Sequence, residues 1–147
     1  MIDALPLSLP QYSVPFAICT SSCAESASCG TAAMPMVRVG ETVAVGRSVA
    51  RSNLFKAAVF GKDPNWGRVL SAVGTTRAAF EPDRLNVSIN GVQVCRAGGV
   101  GEDRSLVSLE ERDVLVEIDL DAGAAEATIW TNDLTHDYVH ENSAYSS

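Results

Sequence analysis

The chain has 147 residues, 46% of them hydrophobic and 20% charged, with 18 Asp and Glu against 11 Lys and Arg for a net charge of −7. That length suits one domain with a real core, and an acidic balance without a polybasic stretch leaves no footprint for nucleic acid or for an anionic membrane surface. No apolar run approaches the roughly 20 residues of a membrane helix, and the start, Met1-Ile2-Asp3-Ala4-Leu5-Pro6, lacks the basic and apolar regions of a secretory signal, so a cytoplasmic protein is expected.

Residues 1–36 are rich in Ser, Ala, Pro and Thr and show neither a helical nor a strand period. They read as a linker-like, irregular segment too poor in large side chains to repay the entropy of ordering. Three of the four cysteines, Cys19, Cys23 and Cys29, lie there, with Cys95 alone further on. Their spacing matches no common zinc pattern, so they read as ordinary thiols and no metal is expected. The domain proper is assigned to residues 37–147.

From Glu41 to Ala50, Thr42, Val45 and Val49 fall on one helical face, which predicts a helix. Asn53 to Val59 reads as a strand. Asp63 is a good N-cap and Pro64 suits a first helical position, so a second helix is predicted to start at Pro64. Trp66, Val69, Leu70 and Val73 carry it forward, and Gly74 ends it in a left-handed conformation. Leu85–Ile89, Asn90-Gly91 and Val92–Cys95 spell a hairpin with a type I′ turn, Ile89 facing Val92 and Val87 facing Val94. Leu85, Val87, Ile89, Val92 and Val94 then share a face. Ser108-Leu109-Glu110-Glu111 has capping-box spacing, which predicts a short helix. Val114, Val116, Ile118 and Leu120 alternate with Leu115, Glu117 and Asp119, and Ala125–Thr131 returns after Asp121-Ala122-Gly123 as a second hairpin. The sum is α+β, a mainly antiparallel sheet with hairpins and packed helices.

Asp63 and Asn65 could serve chemistry, since a helix N-terminus also binds anions such as a substrate carboxylate. Capping, an anchoring Trp66 and either a solvated Arg68 or an Asp63–Arg68 ion pair account for the same residues without it. His136 and His140 stand at i and i+4, a spacing that can bind zinc, but no third ligand is near and Asp137, Tyr138, Glu141 and Asn142 read as a polar, irregular tail. Gly98-Gly99-Val100-Gly101 lacks the spacing of a phosphate-binding loop and reads as a flexible one. No Ser or Cys sits in a recognisable nucleophile turn.

The string Ser52-Asn53-Leu54-Phe55-Lys56-Ala57-Ala58-Val59-Phe60-Gly61-Lys62-Asp63-Pro64-Asn65-Trp66-Gly67-Arg68 resembles the ornithine acetyltransferases, the bifunctional glutamate N-acetyltransferases of arginine biosynthesis, in the C-terminal part of their second (β) subunit. Trp130-Thr131-Asn132-Asp133-Leu134-Thr135-His136-Asp137-Tyr138-Val139 and Glu141–Ser147 are similar to that family's C-terminus, and the likeness runs from about Val45 to Ser147. The resemblance implies part of an α/β sandwich and an enzyme that moves acetyl from N-acetyl-L-ornithine to L-glutamate. A threonine, made N-terminal by self-cleavage, holds the acetyl group as an ester, and the first subunit supplies an oxyanion hole. It implies no bound cofactor, with acetyl-CoA as a further acetyl donor in bifunctional members, and a hetero-oligomer with the first (α) subunit. It implies substrate contacts at Asn142 and Ser147. The self-cleavage junction and the stretch carrying the family's substrate-binding glutamate have no counterpart here, and Thr20 and Thr31 lie outside the family's context. The chain is therefore expected to be an inactive C-terminal portion, its left end arising from truncation or a shifted reading frame, with a non-catalytic binding or assembly fragment as the alternative.

Overall fold

The computed structural model describes residues 13–21 and 37–144. Its centre is a six-stranded sheet of β1 (Ser13–Ser21), β2 (Asn86–Ile89), β3 (Val92–Arg96), β4 (Gly99–Val100), β5 (Val116–Gly123) and β6 (Glu126–Asn132), in the order β4-β3-β2-β5-β1-β6. Strand β1 runs parallel to β5, and the other pairings are antiparallel. The mainly antiparallel α+β architecture is as the sequence indicates.

Helix α1 (Val39–Arg51) buries Thr42, Val45 and Val49, as its periodicity requires. Its start is braced by Glu41, whose carboxylate accepts the Arg38 backbone N–H at 2.8 Å. Residues 53–60 form a second helix, α2 (Asn53–Phe60), and not the expected strand. Ser52 Oγ accepts the Phe55 N–H, and Phe55, Ala58 and Val59 stand at i, i+3 and i+4 and are buried. A short apolar run fits either period, and here the cap and the burial decide for the helix.

α2 ends in a Schellman motif: the Asp63 N–H reaches back to the Ala58 carbonyl at 2.9 Å and the Lys62 N–H to that of Val59 at 3.0 Å. The left-handed residue is Lys62, with φ 54°, and not the glycine before it. Asp63 is thereby spent on ending one helix. Asn65 caps the next, α3 (Trp66–Val73), its Oδ1 accepting the Arg68 N–H. The expected start at Pro64 with Asp63 as cap is thus displaced by two residues. Gly74 does end α3, but in a right-handed conformation, φ −64°.

The Asn90-Gly91 hairpin forms as expected between β2 and β3, with φ 47° and 83° at its two turn residues. Ile89 pairs with Val92, but a register shift then sets Val87 opposite Cys95 in place of Val94, and Val94 and Cys95 are both buried. The glycines after β3 are not a flexible loop. Ala97 and Gly98 turn the chain with positive φ, and Gly99–Val100 pairs back on β3. The short helix expected at Ser108–Glu111 is absent; a 3-10 turn lies earlier, at Arg104–Leu106, capped by Asp103.

The second expected hairpin is corrected more deeply. Val114, Val116, Ile118 and Leu120 are buried as their alternation demands, yet β5 and β6 do not pair. Strand β1 lies between them, so Ser13–Ser21, read as irregular, is an inner strand of the sheet.

The helices cover one face of the sheet. Cross-strand pairs Val87–Ile118 and Ile89–Val116 lie on it, and the core fills with Val45 and Val49 of α1, Phe55 and Val59 of α2, and Val69 and Val73 of α3. α1 lies over β6, where the Thr131 hydroxyl donates to the Ala50 carbonyl at 2.9 Å. The pairs Asn86–Asp119 and Ser88–Glu117 mark the opposite, polar face. Trp130, 67% exposed, falls on that face too: it and Glu117 occupy β1 register positions of the same parity.

Candidate functional site

The turn between α2 and α3 is held by interactions within itself. Asn65 Nδ2 donates to Asp63 at 2.9 Å, and Arg68 Nη1 donates to the Leu54 carbonyl at 2.6 Å, tying α3 to the first turn of α2. The Asp63–Arg68 pair is not formed. Arg104 is the cation beside Asp63, at 3.8 Å, and Lys62 pairs with Glu110 at 2.5 Å. Trp66 is half-buried against the core. Lys62, Asp63, Asn65, Trp66 and Arg68 thus each have a structural task, and the α3 N-terminus is closed by its own cap.

At the other end, β6 leads through the buried Asp133 and Thr135 into α4 (His136–Ser143), a helix where an irregular tail was expected. Thr135 sits at the N-cap and its hydroxyl accepts the Tyr138 N–H at 3.1 Å. The His136 ring meets Phe60 edge to face at 5.1 Å, and the Leu134 N–H donates to the Lys56 carbonyl, so α4 starts against the end of α2. The two histidines do lie on one helix, but no group of three His, Cys, Asp or Glu able to hold a metal occurs among the described residues. Asn142 is exposed on α4 and its amide donates to the Tyr138 carbonyl at 2.7 Å. Ser147, Cys23, Cys29 and Thr31 lie outside the described residues. Cys95 is a buried thiol against the Leu85 carbonyl, its pKa pushed up by burial, which suits an inert core residue and not a nucleophile.

Two concavities stand out among the described residues. One, about 220 Å³, lies on the polar face of the sheet between Asn86, Ser88, Gln93, Glu117 and Asp119. The Asp119 pKa is raised from its ordinary value, chiefly by desolvation, with the Asp121 charge adding to the rise; the Asp121 N–H at 2.9 Å and the Asn86 side chain oppose it. A raised folded pKa means the native state holds this proton more tightly than the unfolded chain. Its contribution to stability is then complete below the unfolded value of about 3.9 and is lost as pH rises through the folded one. Asp119→Asn keeps an oxygen for the Asp121 N–H and removes the charge. It should be more stable than wild type at pH 7, with the gap closing toward about pH 3. Urea melts across that range check it, and a gap independent of pH would overturn the assignment.

The larger concavity, a groove of about 810 Å³, runs between α1, the start of α2 and the end of α3. Arg47, Arg51 and Arg77 line it, and the sequence reading singled out none of them. A signal was available in the i, i+4 spacing of Arg47 and Arg51, but the third arginine joins them only in the folded chain.

The fold is one α+β unit, helices packed on one face of a mainly antiparallel sheet. The chain belongs to the ArgJ family, whose sequence profile matches residues 37–147. The arginine biosynthesis bifunctional protein ArgJ of Streptomyces avermitilis is 71% identical over 107 residues, covering 73% of this chain and 28% of that protein. The Streptomyces coelicolor protein of the same name is 72% identical over an equal span, and that of Mycobacterium tuberculosis 47%. The chain thus spans about 28% of the length of the Streptomyces relatives it matches. The crystal structure of ArgJ from Bacillus halodurans superposes with a TM-score of 0.77 over 92% of this chain and 59% of that one, at 21% identity, which shows the shared fold. Among the described residues no helix is long and apolar enough to cross a membrane.

Proposed function

We propose that this chain is the C-terminal portion of an acetyltransferase that moves acetyl from N-acetyl-L-ornithine to L-glutamate in arginine biosynthesis, working with a first subunit that completes the site. In this reading Asn142 and Ser147 contact substrate. An amide offers both a donor and an acceptor to an amino acid, and a hydroxyl can donate to a substrate carboxylate or accept from a substrate amine. Acetyl-CoA is a further acetyl donor in the bifunctional form. The observation that carries the reading is the 71% identity over 107 residues to a relative named as an arginine biosynthesis bifunctional protein.

No threonine of this chain stands in the family's nucleophile context, and an acyl-enzyme route does not run without its nucleophile. Purified alone, the chain should therefore show no acetyl transfer from N-acetylornithine to glutamate. Joined to the upstream part of a Streptomyces relative, the same C-terminus should restore turnover. Transfer by the chain alone, or no transfer by the completed enzyme, would overturn the reading. A second reading is a binding or assembly fragment of the same fold. It would be marked by association with the upstream part without turnover.

A further inference from the structure

The groove beside α1 carries a charge pattern at odds with the rest of the molecule. In a chain of net charge −7, Arg47 and Arg51 stand one turn apart on α1 and Arg77 faces them from the turn after α3, all three exposed. None has a carboxylate partner among the described residues. A helix-end arginine can simply answer the negative end of the dipole. That explains Arg51, in the last turn of α1, but not three unpaired guanidiniums gathered from two walls of one groove.

The neighbouring hydroxyls narrow what could sit there. Ser48 donates to the Ala72 carbonyl at 2.8 Å, Thr75 to the same carbonyl at 2.7 Å, and Thr76 to that of Val73 at 2.8 Å. Their protons are committed to the end of α3, so the charged donors left to a ligand are the guanidinium N–H groups, with the Ser52 and Ser71 hydroxyls beside them. A matching ligand is an acceptor with oxygens on several sides, because a planar carboxylate presents its oxygens in one direction whereas a phosphate faces guanidiniums on both walls. Val43, Ala44 and Leu54, the last 64% exposed, add an apolar shelf beside the arginines. The volume, about 810 Å³, is that of a small-molecule site.

We infer that this groove binds a phosphate-bearing small molecule of nucleotide size, its phosphates between Arg47, Arg51 and Arg77 and its body on the shelf of Val43, Ala44 and Leu54. The inference goes beyond acetyl transfer and does not depend on it.

Calorimetric titration of the full chain with ADP at low salt tests it. ADP should bind with Kd below about 1 mM, pyrophosphate more weakly and adenosine not measurably, and affinity should fall steeply with added salt. Arg47→Gln, Arg51→Gln and Arg77→Gln combined should weaken ADP at least about tenfold while the melting temperature holds, since all three are exposed. Arg96→Gln with Arg112→Gln, exposed and outside the groove, should stay within about twofold of wild type. Equal loss in both variants would reduce the effect to overall charge and overturn the site. So would undiminished ADP binding by the triple variant, no ADP binding by wild type, or citrate binding as tightly as ADP.

Discussion

Gly101→Ala should destabilise the chain by at least about 3 kcal/mol, lowering its melting temperature by roughly 10 °C. A Cβ at this position would lie 2.2 Å from the Gln93 carbonyl oxygen and 3.0 Å from the Val94 carbonyl carbon. Those atoms are backbone and fixed in place, because the Val94 carbonyl accepts the Gly101 N–H and the Gln93 carbonyl accepts that of Glu102. No side chain can move aside to make room, so β3 or the segment after β4 must shift. Two other glycines frame the result. Gly40→Ala meets nothing within 4 Å on α1 and should be neutral or gain up to about 1 kcal/mol from helix propensity. Gly91→Ala also meets nothing, but at φ +83° it should cost about 1–2 kcal/mol of left-handed strain. Thermal melts of the three variants check the order, and a Gly101→Ala melt matching Gly40→Ala would overturn the close approach of the two segments.

Ile118→Ala should cost about 3–4 kcal/mol of stability. Ile118 is 0% exposed at the middle of β5, flanked in register by Val87 on β2 and by β1, under the layer of helices. The cavity left there has little freedom to collapse. Trp66→Ala should cost less, about 2–3 kcal/mol, because that ring is only half-buried. Asn142→Ala marks the opposite case. On an exposed helix, its loss should change stability by less than about 0.5 kcal/mol. In a complete enzyme ending in this C-terminus it should lower kcat/KM by about 5- to 150-fold, the equivalent of a lost buried polar contact of about 1–3 kcal/mol. Steady-state kinetics beside urea melts separate the two kinds of residue. Unchanged kinetics in Asn142→Ala would remove it from substrate binding.

Of the candidate site, the sequence held what a resemblance can carry and little of the geometry. Asn142 and the two histidines read from sequence as an irregular tail, because the helix they form depends on Thr135 as its cap and on Phe60 as a neighbour of His136. The groove arginines went unseen because Arg77 is brought beside Arg47 and Arg51 by the packing of α3 on α1, a contact between segments far apart in sequence.

The same division runs through the fold. Features set within a few residues were legible in the sequence: the buried face of α1, the end of α3 at Gly74, the Asn90-Gly91 turn and the buried row along β5, each following from local backbone preference or from a period of 3.6 or 2. Features that depend on distant partners were not. β5 and β6 carry the alternation of a hairpin, and only the tertiary structure shows β1 inserted between them, because a strand's pattern records which face is buried and not which strand lies beside it. Residues 53–60 were short enough to fit either period, and burial of Phe55, Ala58 and Val59 against the sheet settled them as helix. Gly98 and Gly101 looked like slack in the chain. Their need for glycine comes from the backbones of Pro82 and Gln93 pressed against them, which no local pattern records.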